Sequence, residues 1–487
     1  MTQPARNGVF AALLVVALCA ATAQGADPAG RLSPRLVARL AQAAPGSPQT
    51  VWVFFADKPE HEVDWREAGS RLNGRALSRR SRRGGLRGLD RADLAVSPAY
   101  VQAVRDGALR TRHVSRWLNA VSFEANASQI HDLAALPFVA RIDVVTAGSR
   151  PPEPVGGSAR SASRSTSPGR ASGLDYGLSY GQLAQIHVPE LHDLGLNGAG
   201  VLVAVFDTGF DPTHEAFATT PILAARDFVN GDDDVRNGAD QGDDGHGTAT
   251  LSILGAFQPG ALIGAAFGAT FILAKTENTW SETPVEEDHW VAAAEWAEAL
   301  GADVISSSLG YLEFDSGTGY SPADMNGMVA VSTRAADLAV ERGVVVVNSA
   351  GNSGYHAEHN TLGAPADGIR VLAIAAVDPL GGRAAFSSVG PSADGRIKPD
   401  LAAQGVAVRL AQSLPFLRFG FGSGTSFSCP LVAGVVALVL QAHPEYTVAQ
   451  VHQALRSTAS QAAAPDPLLG FGLVDALAAV SAPPSEP

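Results

Sequence analysis

Continuous apolar, β-branched runs alternate with longer helical patterns through the back half of the chain. Residues 201–206, 271–275, 304–307, 344–347 and 371–377 are runs of strand length, and 290–300, 329–341 and 430–443 carry apolar residues at helical spacing. Strands without polar alternation are buried on both faces, and amphipathic helices between them imply parallel pairing with helices on either side. The expected fold class from residue 175 to 487 is therefore α/β, a three-layer α/β/α domain with a mostly parallel central sheet.

The front half reads differently. Residues 51–55, 116–124 and 139–145 read as strands and 128–136 as a helix with Ser128 as its cap, which predicts a small α+β domain within 24–146. Between the two halves, 147–174 is rich in Ser, Gly, Arg and Pro with almost no large apolar residue. That composition predicts a flexible linker, the expected place for precursor processing.

Charge sharpens this division. Residues 27–170 hold 22 Lys+Arg against 13 Asp+Glu, net +9, whereas 171–487 hold 12 against 35, net −23. Opposite fields favour docking of one half on the other. The cluster Arg79, Arg80, Arg82, Arg83 serves such docking or is a solvated, protease-sensitive loop, and the residues alone leave both open. With 17% charged residues and 46% apolar ones the chain is compact globular protein, not a disordered or coiled-coil one.

Arg6, the apolar run 9–21 and Ala21-Thr22-Ala23 have the form of a signal peptide over 1–23, so the protein is expected to be secreted, extracellular or periplasmic, with no membrane attachment after cleavage and no nucleic-acid partner. Leu18 before Cys19 argues against a lipid-attachment site. Once Cys19 is removed Cys429 stands alone, which excludes an intramolecular disulfide.

Asp207 closes an apolar strand and is followed by Thr208-Gly209, so its carboxylate belongs at the carboxyl edge of the sheet, where open α/β folds place their sites. His246 lies between glycines in Asp244-Gly245-His246-Gly247-Thr248 at the start of a helical run. Ser426 lies in Gly424-Thr425-Ser426, directly before an apolar helix whose first N–H groups and dipole point at its hydroxyl. Singly, Asp207 reads as a turn or helix-cap aspartate and Ser426 as an N-cap serine, whereas a glycine-flanked histidine at a helix start reads as a site rather than a surface residue. Together they supply a nucleophile, a base and a carboxylate to orient the base.

In the order Asp, His, Ser, these three blocks resemble the signature segments of the subtilisin-like serine peptidases over about residues 175–480. The resemblance implies Asp207, His246 and Ser426 as catalytic triad. Ser349-Ala350-Gly351-Asn352 looks like the family's oxyanion segment, with Asn352 and the Ser426 N–H as donors and Ser349, Ala350 and Gly351 beside the substrate. The stretch 306–310 looks like the strand that pairs with extended polypeptide substrates along Ser308, Leu309 and Gly310. The front half looks like a subtilisin-type prosegment, a temporary intramolecular inhibitor and chaperone of an autoprocessed zymogen expected to act as a monomer. Such chemistry requires no cofactor.

Departures from the family are local. Phe427 stands where many members have Met, Cys429 replaces a small residue, and Ala216 occupies the place of a frequent calcium-ligating Asp. Asp232, Asp233, Asp234, Asp240, Asp243 and Asp244 crowd the approach to His246 and carry the expectation of a different, weaker structural calcium site, with no metal ligands assigned. His356 and His359, separated by Glu358 among others, read as a solvated loop. A phosphate loop at 420–426 lacks the Gly-Lys-Ser/Thr ending, an esterase elbow Gly-x-Ser-x-Gly is missing around Ser426, and a silent, peptide-binding relative would be expected to have lost one of the four site residues.

Overall fold

The computed structural model describes residues 28–84, 88–145, 173–237, 241, 244–279, 285–312, 319–413 and 418–483. The expected signal peptide and nearly all of the expected linker lie outside these residues.

The front half is a four-stranded antiparallel sheet of β1 (Gln49–Phe55), β2 (Arg110–Ser115), β3 (Ala120–Ala125) and β4 (Val139–Val144), in the order β2-β3-β1-β4. Helices α1 (Pro34–Gln42), α2 (Glu62–Ser70), α3 (Gly74–Arg83), α4 (Pro98–Gly107) and α5 (Ala127–Ala134) accompany it. Two expectations change here. The run 116–124 is not one strand: residues 116–119 turn, with Asn119 at φ 50°, and β2 and β3 form a hairpin. The cap of α5 is Asn126, not Ser128, because Asn126 accepts from the Gln129 N–H while Gln129 accepts from the Asn126 N–H.

Period-two alternation gives this sheet two buried faces. Val51, Val53 and Phe55 point into a core with Leu36, Val104 and Ile130 from α1, α4 and α5. Trp52 and Phe54 point the other way and join the core of the back half.

The back half opens with short helices α6 (Tyr180–Ala184) and α7 (Val188–Asp193). Its central sheet contains β5 (Leu202–Asp207), β6 (Ile222–Asp227), β9 (Thr270–Lys275), β10 (Val304–Ser307), β11 (Val345–Ser349), β12 (Leu372–Val377) and β13 (Leu401–Gln404); β7 (Phe257–Gln258) and β8 (Leu262–Ile263) form a small separate hairpin. The seven strands are all parallel, in the order β13-β12-β11-β10-β5-β9-β6. Helices α8 (Gly245–Gly255), α9 (Val285–Ala299), α10 (Val331–Glu341) and α11 (Thr425–Ala442) cover the faces, the hairpin β14 (Val408–Ala411) and β15 (Phe419–Gly422) precedes α11, and α12 (Val448–Thr458) and α13 (Ala476–Ser481) close the chain. By length and composition α11 is apolar enough to cross a bilayer, yet 89% of that window is buried inside the protein, so it is the core helix under the sheet.

Helix α9 is sandwiched between the two halves. Its Glu295 accepts from Ser115 Oγ at 2.6 Å and from the Trp117 N–H at 3.1 Å, and its Asp288 accepts from Ser122 Oγ. Burial pushes the Asp288 carboxyl up to about 7, against the pull of Arg112 and Ser122. Because the packed pKa lies above the ordinary 3.8, the stability tied to this group is complete below about pH 4 and is lost as pH rises through 7. On full chains carrying Ser426→Ala, the melting-temperature difference between Asp288→Asn and its parent should grow in favour of the variant from pH 4 to 7 and level off above. A difference independent of pH would contradict a buried neutral carboxyl.

Candidate active site

Parallel strands deliver the site to one edge. Asp207 ends β5, Ser308 follows β10 and Ser349 ends β11, while α8 and α11 begin over the same edge. In-register pairing of Ser307 with Phe206 and Asn348 keeps the three strand ends level.

Asp207 is wholly buried, and its carboxylate accepts from three directions: the Thr208 N–H at 2.8 Å, Thr250 Oγ1 at 2.9 Å and His246 Nδ1. His246 is the second residue of α8. A Cβ on Gly247 would lie 2.1 Å from the Gly209 carbonyl and 3.0 Å from the Asp207 Cβ, so only glycine lets α8 approach the end of β5 this closely. On its other side the imidazole lies against Phe427, ring centroids 5.8 Å apart.

Ser426 is the second residue of α11, buried to 3% exposure. Its hydroxyl donates to the Ser308 carbonyl at 3.3 Å, and Ser308 Oγ donates back to the Ser426 carbonyl at 2.8 Å. Asn352 is half-buried in the loop after β11; its Oδ1 accepts from both the N–H and the Oγ1 of Thr425, each at 2.9 Å. With the amide oxygen held there, Nδ2 has no acceptor among the described residues.

The substrate-side candidates differ from one another. The Leu309 carbonyl is turned inward to Asn348 Nδ2 at 2.9 Å, so it is not part of an open edge. Ser349 and Ala350 are buried in the scaffold, with the Ala350 N–H bonded to Ile374 and its carbonyl to Gly363. Gly310 and Gly351 are half-buried. Gly351 has φ +113°, and a Cβ there would meet Ser388 Oγ at 2.8 Å.

Thr250 and Thr425 were not singled out from sequence. Thr250 follows His246 by one helical turn and so shares its face, the signal that could have found it. Cys429 is a core thiol, pushed up to about 12 by burial between β10 and β11, where it lies 3.5 Å from the Ser307 and Val347 carbonyls. Among the described residues no group of three or more His, Cys, Asp or Glu could hold a metal ion. Asp240 and Asp243 lie outside them, and Asp234 is paired with Arg236 at 2.8 Å. The buried Lys275 ammonium pairs with Asp227 at 2.8 Å and bonds Gln241. His356 and His359 are stacked on each other at 3.6 Å.

A family model described as the subtilase family matches residues 198–472, more than half of the chain. The chain belongs to the subtilase family. It is accordingly a serine-type endopeptidase. A second model, described as a peptidase S8 propeptide domain of Bacteroidota, matches residues 50–157 of this subtilase. Subtilisin NAT of Bacillus subtilis subsp. natto is 33% identical over 292 residues, 60% of this chain and 67% of that protein. Subtilisin Savinase of Lederbergia lenta is 31% identical over 298 residues, 61% of this chain and 97% of that protein. Fervidolysin from Fervidobacterium pennivorans shares the fold at TM-score 0.63 and 23% identity, over 91% of this chain and 62% of fervidolysin's.

Thr250→Val keeps the shape and removes one of three donors to the buried carboxylate. A hydrogen bond to a charged group contributes about 1.5–3 kcal/mol, so peptide hydrolysis by the subtilase should lose roughly 10-fold or more in kcat with KM little changed. Equal kcat in the variant would show that Thr250 does not hold Asp207.

Proposed function

We propose that this subtilase is exported, cuts its own prosegment free, and hydrolyses extended polypeptides with Asp207, His246 and Ser426 as triad. The main support is the His246 ring, hydrogen-bonded to Asp207 on one side and lying against Phe427, the neighbour of Ser426, on the other.

With Nδ1 committed to Asp207, Nε2 is the nitrogen that takes the Ser426 proton as the hydroxyl attacks the peptide carbonyl. The buried Asp207 carboxylate favours the imidazolium so formed. The new oxyanion is held by Asn352 Nδ2 and the Ser426 N–H, the latter aided by the positive end of α11. His246 then protonates the leaving amine, and water releases the acyl group by the same steps in reverse. Extended substrate runs along Ser308 and Gly310 as an added strand. These steps use protein groups alone, in keeping with a family that needs no cofactor for catalysis.

Residues 24–146 act as inhibitor and chaperone, and the processing point lies within 147–174. Support comes from the propeptide match over 50–157 and from the docked four-stranded sheet.

The test is export of wild-type and Ser426→Ala chains followed by intact-mass measurement and fluorophosphonate labelling. The wild type should appear shortened and labelled at Ser426, the variant full-length apart from the signal peptide and unlabelled. A shortened variant in a host free of other proteases would rule out self-processing. Asn352→Ala should lower kcat by about 10²–10³, a magnitude taken over from subtilisin itself rather than derived from this geometry; an undiminished kcat would remove Asn352 from the oxyanion site.

A further inference from the structure

Helix α3 is packed inside out. Leu77 is 41% exposed, whereas Arg79 and Arg80 are completely buried and Arg83 is 5% exposed. The open choice for this arginine cluster thus falls on docking for Arg79, Arg80 and Arg83, whereas Arg82 stays exposed on the outer face of the helix. Arg75, Arg79, Arg80 and Arg83 lie along one face of the helix at positions i, i+4, i+5 and i+8.

That face meets the catalytic domain at the edge opposite to the triad. Arg80 makes two bonds to the Glu298 carboxylate, each 2.8 Å, and two more to Asp93 of the prosegment at 2.7 and 2.9 Å. Arg79 pairs with Glu298 and donates to the Ala302 and Arg342 carbonyls at 2.7 and 3.1 Å. Arg83 reaches Asp303 at 2.7 Å and the Pro444 carbonyl at 3.2 Å, and Arg75 pairs with Asp303 while donating to the Gly200 carbonyl at 2.7 Å. Gly200, Ala302 and Arg342 precede β5, β10 and β11, so these acceptors lie where the strands begin, whereas Asp207 and Ser308 lie where they end. Glycine turns let the backbones touch: a Cβ on Gly343 would lie 2.9 Å from the Gly84 N.

Such a surface fits arginine specifically. Planar guanidinium forks match carboxylates two bonds at a time, and their remaining N–H groups find carbonyls at fixed angles. Ion pairs this deeply buried are also screened little by salt.

We propose that this edge of the catalytic domain is an arginine-binding exosite remote from the cleft. Its occupant is α3, a second anchor that keeps the prosegment on the enzyme after the connection through 147–174 is cut. The lifetime of the inhibited complex is set there as well as at the sheet-on-helix contact near α9. This rests on the reading of residues 24–146 as inhibitor, but its test does not require self-processing.

A full chain carrying Ser426→Ala receives a recognition site for an unrelated protease within residues 147–174, is cut there, and the prosegment remaining on the catalytic domain is followed with time by gel filtration and native mass spectrometry. The expected result is slow release from the parent in both low and high salt. Arg80→Gln, which leaves Glu298 and Asp93 buried with fewer partners, should release about 100-fold faster, with dissociation rather than association altered. Arg75→Gln, at the half-exposed end of the face, should give a smaller acceleration and covers the case in which Arg80→Gln does not fold. Arg66→Gln, which removes only an exposed pair with Glu62, should match the parent. Release of the parent's prosegment as soon as the chain is cut, or equal rates for Arg75→Gln and Arg66→Gln, would overturn the anchor. The same cut in the Ser426 chain separates the two readings: full activity with the prosegment still bound would discard the inhibitor role and leave the anchor standing.

Discussion

A carboxylate with no exposure to water must be met by donors from every side, and Asp207 is met by three. Burying an ion without such partners costs far more than one domain's net stability can absorb. The end of β5 and the first turns of α8 are therefore fixed relative to each other by the same bonds that aim the His246 ring. The tight approach at Gly247 and the level ends of β5, β10 and β11 are the geometric conditions for those bonds. Ser308, whose carbonyl and hydroxyl both bind Ser426, and Thr425, which holds Asn352, then tie the start of α11 to the same edge.

The prosegment docks at two separate places, and at both of them buried carboxylates of the enzyme are met by its donors. Near α9 a sheet face of Trp52 and Phe54 is laid on the enzyme, with Glu295 and Asp288 receiving Ser115 and Ser122. At the far edge the contact is polar, with Glu298 and Asp303 shared among four arginines whose remaining N–H groups bond backbone carbonyls. An apolar face tolerates small shifts, whereas paired charges without water do not. The combination gives broad adhesion in one place and exact registration in the other.

Much of this was legible in the residues. Apolar runs without alternation announced the parallel sheet, and β5, β9, β10, β11 and β12 fall where those runs lie. The strands β6 and β13 were not foreseen: Ile222–Asp227 is a half-buried edge strand whose apolar start, Ile-Leu-Ala-Ala, gives way to Arg226 and Asp227, and Leu401–Gln404 is only Leu-Ala-Ala-Gln, so neither is a continuous β-branched run of strand length. Asp207, His246, Ser426 and Asn352 were each marked by flanking glycines or a strand end. Thr425 was hidden because its partner Asn352 is brought to it by tertiary packing, whereas for Thr250 the one-turn spacing from His246 was the single signal in the chain. The arginines of α3 were ambiguous for the same reason, since whether a guanidinium is hydrated or enclosed depends on carboxylates more than 200 positions away.

The uneven distribution of charge gives the separation of the two halves an electrical meaning. The portion from 171 onward carries −23 on its own, and the segment 27–170 offsets it by +9. Departure of the prosegment therefore leaves a markedly more anionic particle, one that repels its own copies and anionic surfaces more strongly while drawing cationic chains toward it. A shift in elution on an anion exchanger would accompany loss of the prosegment, so that the two states differ in where they go.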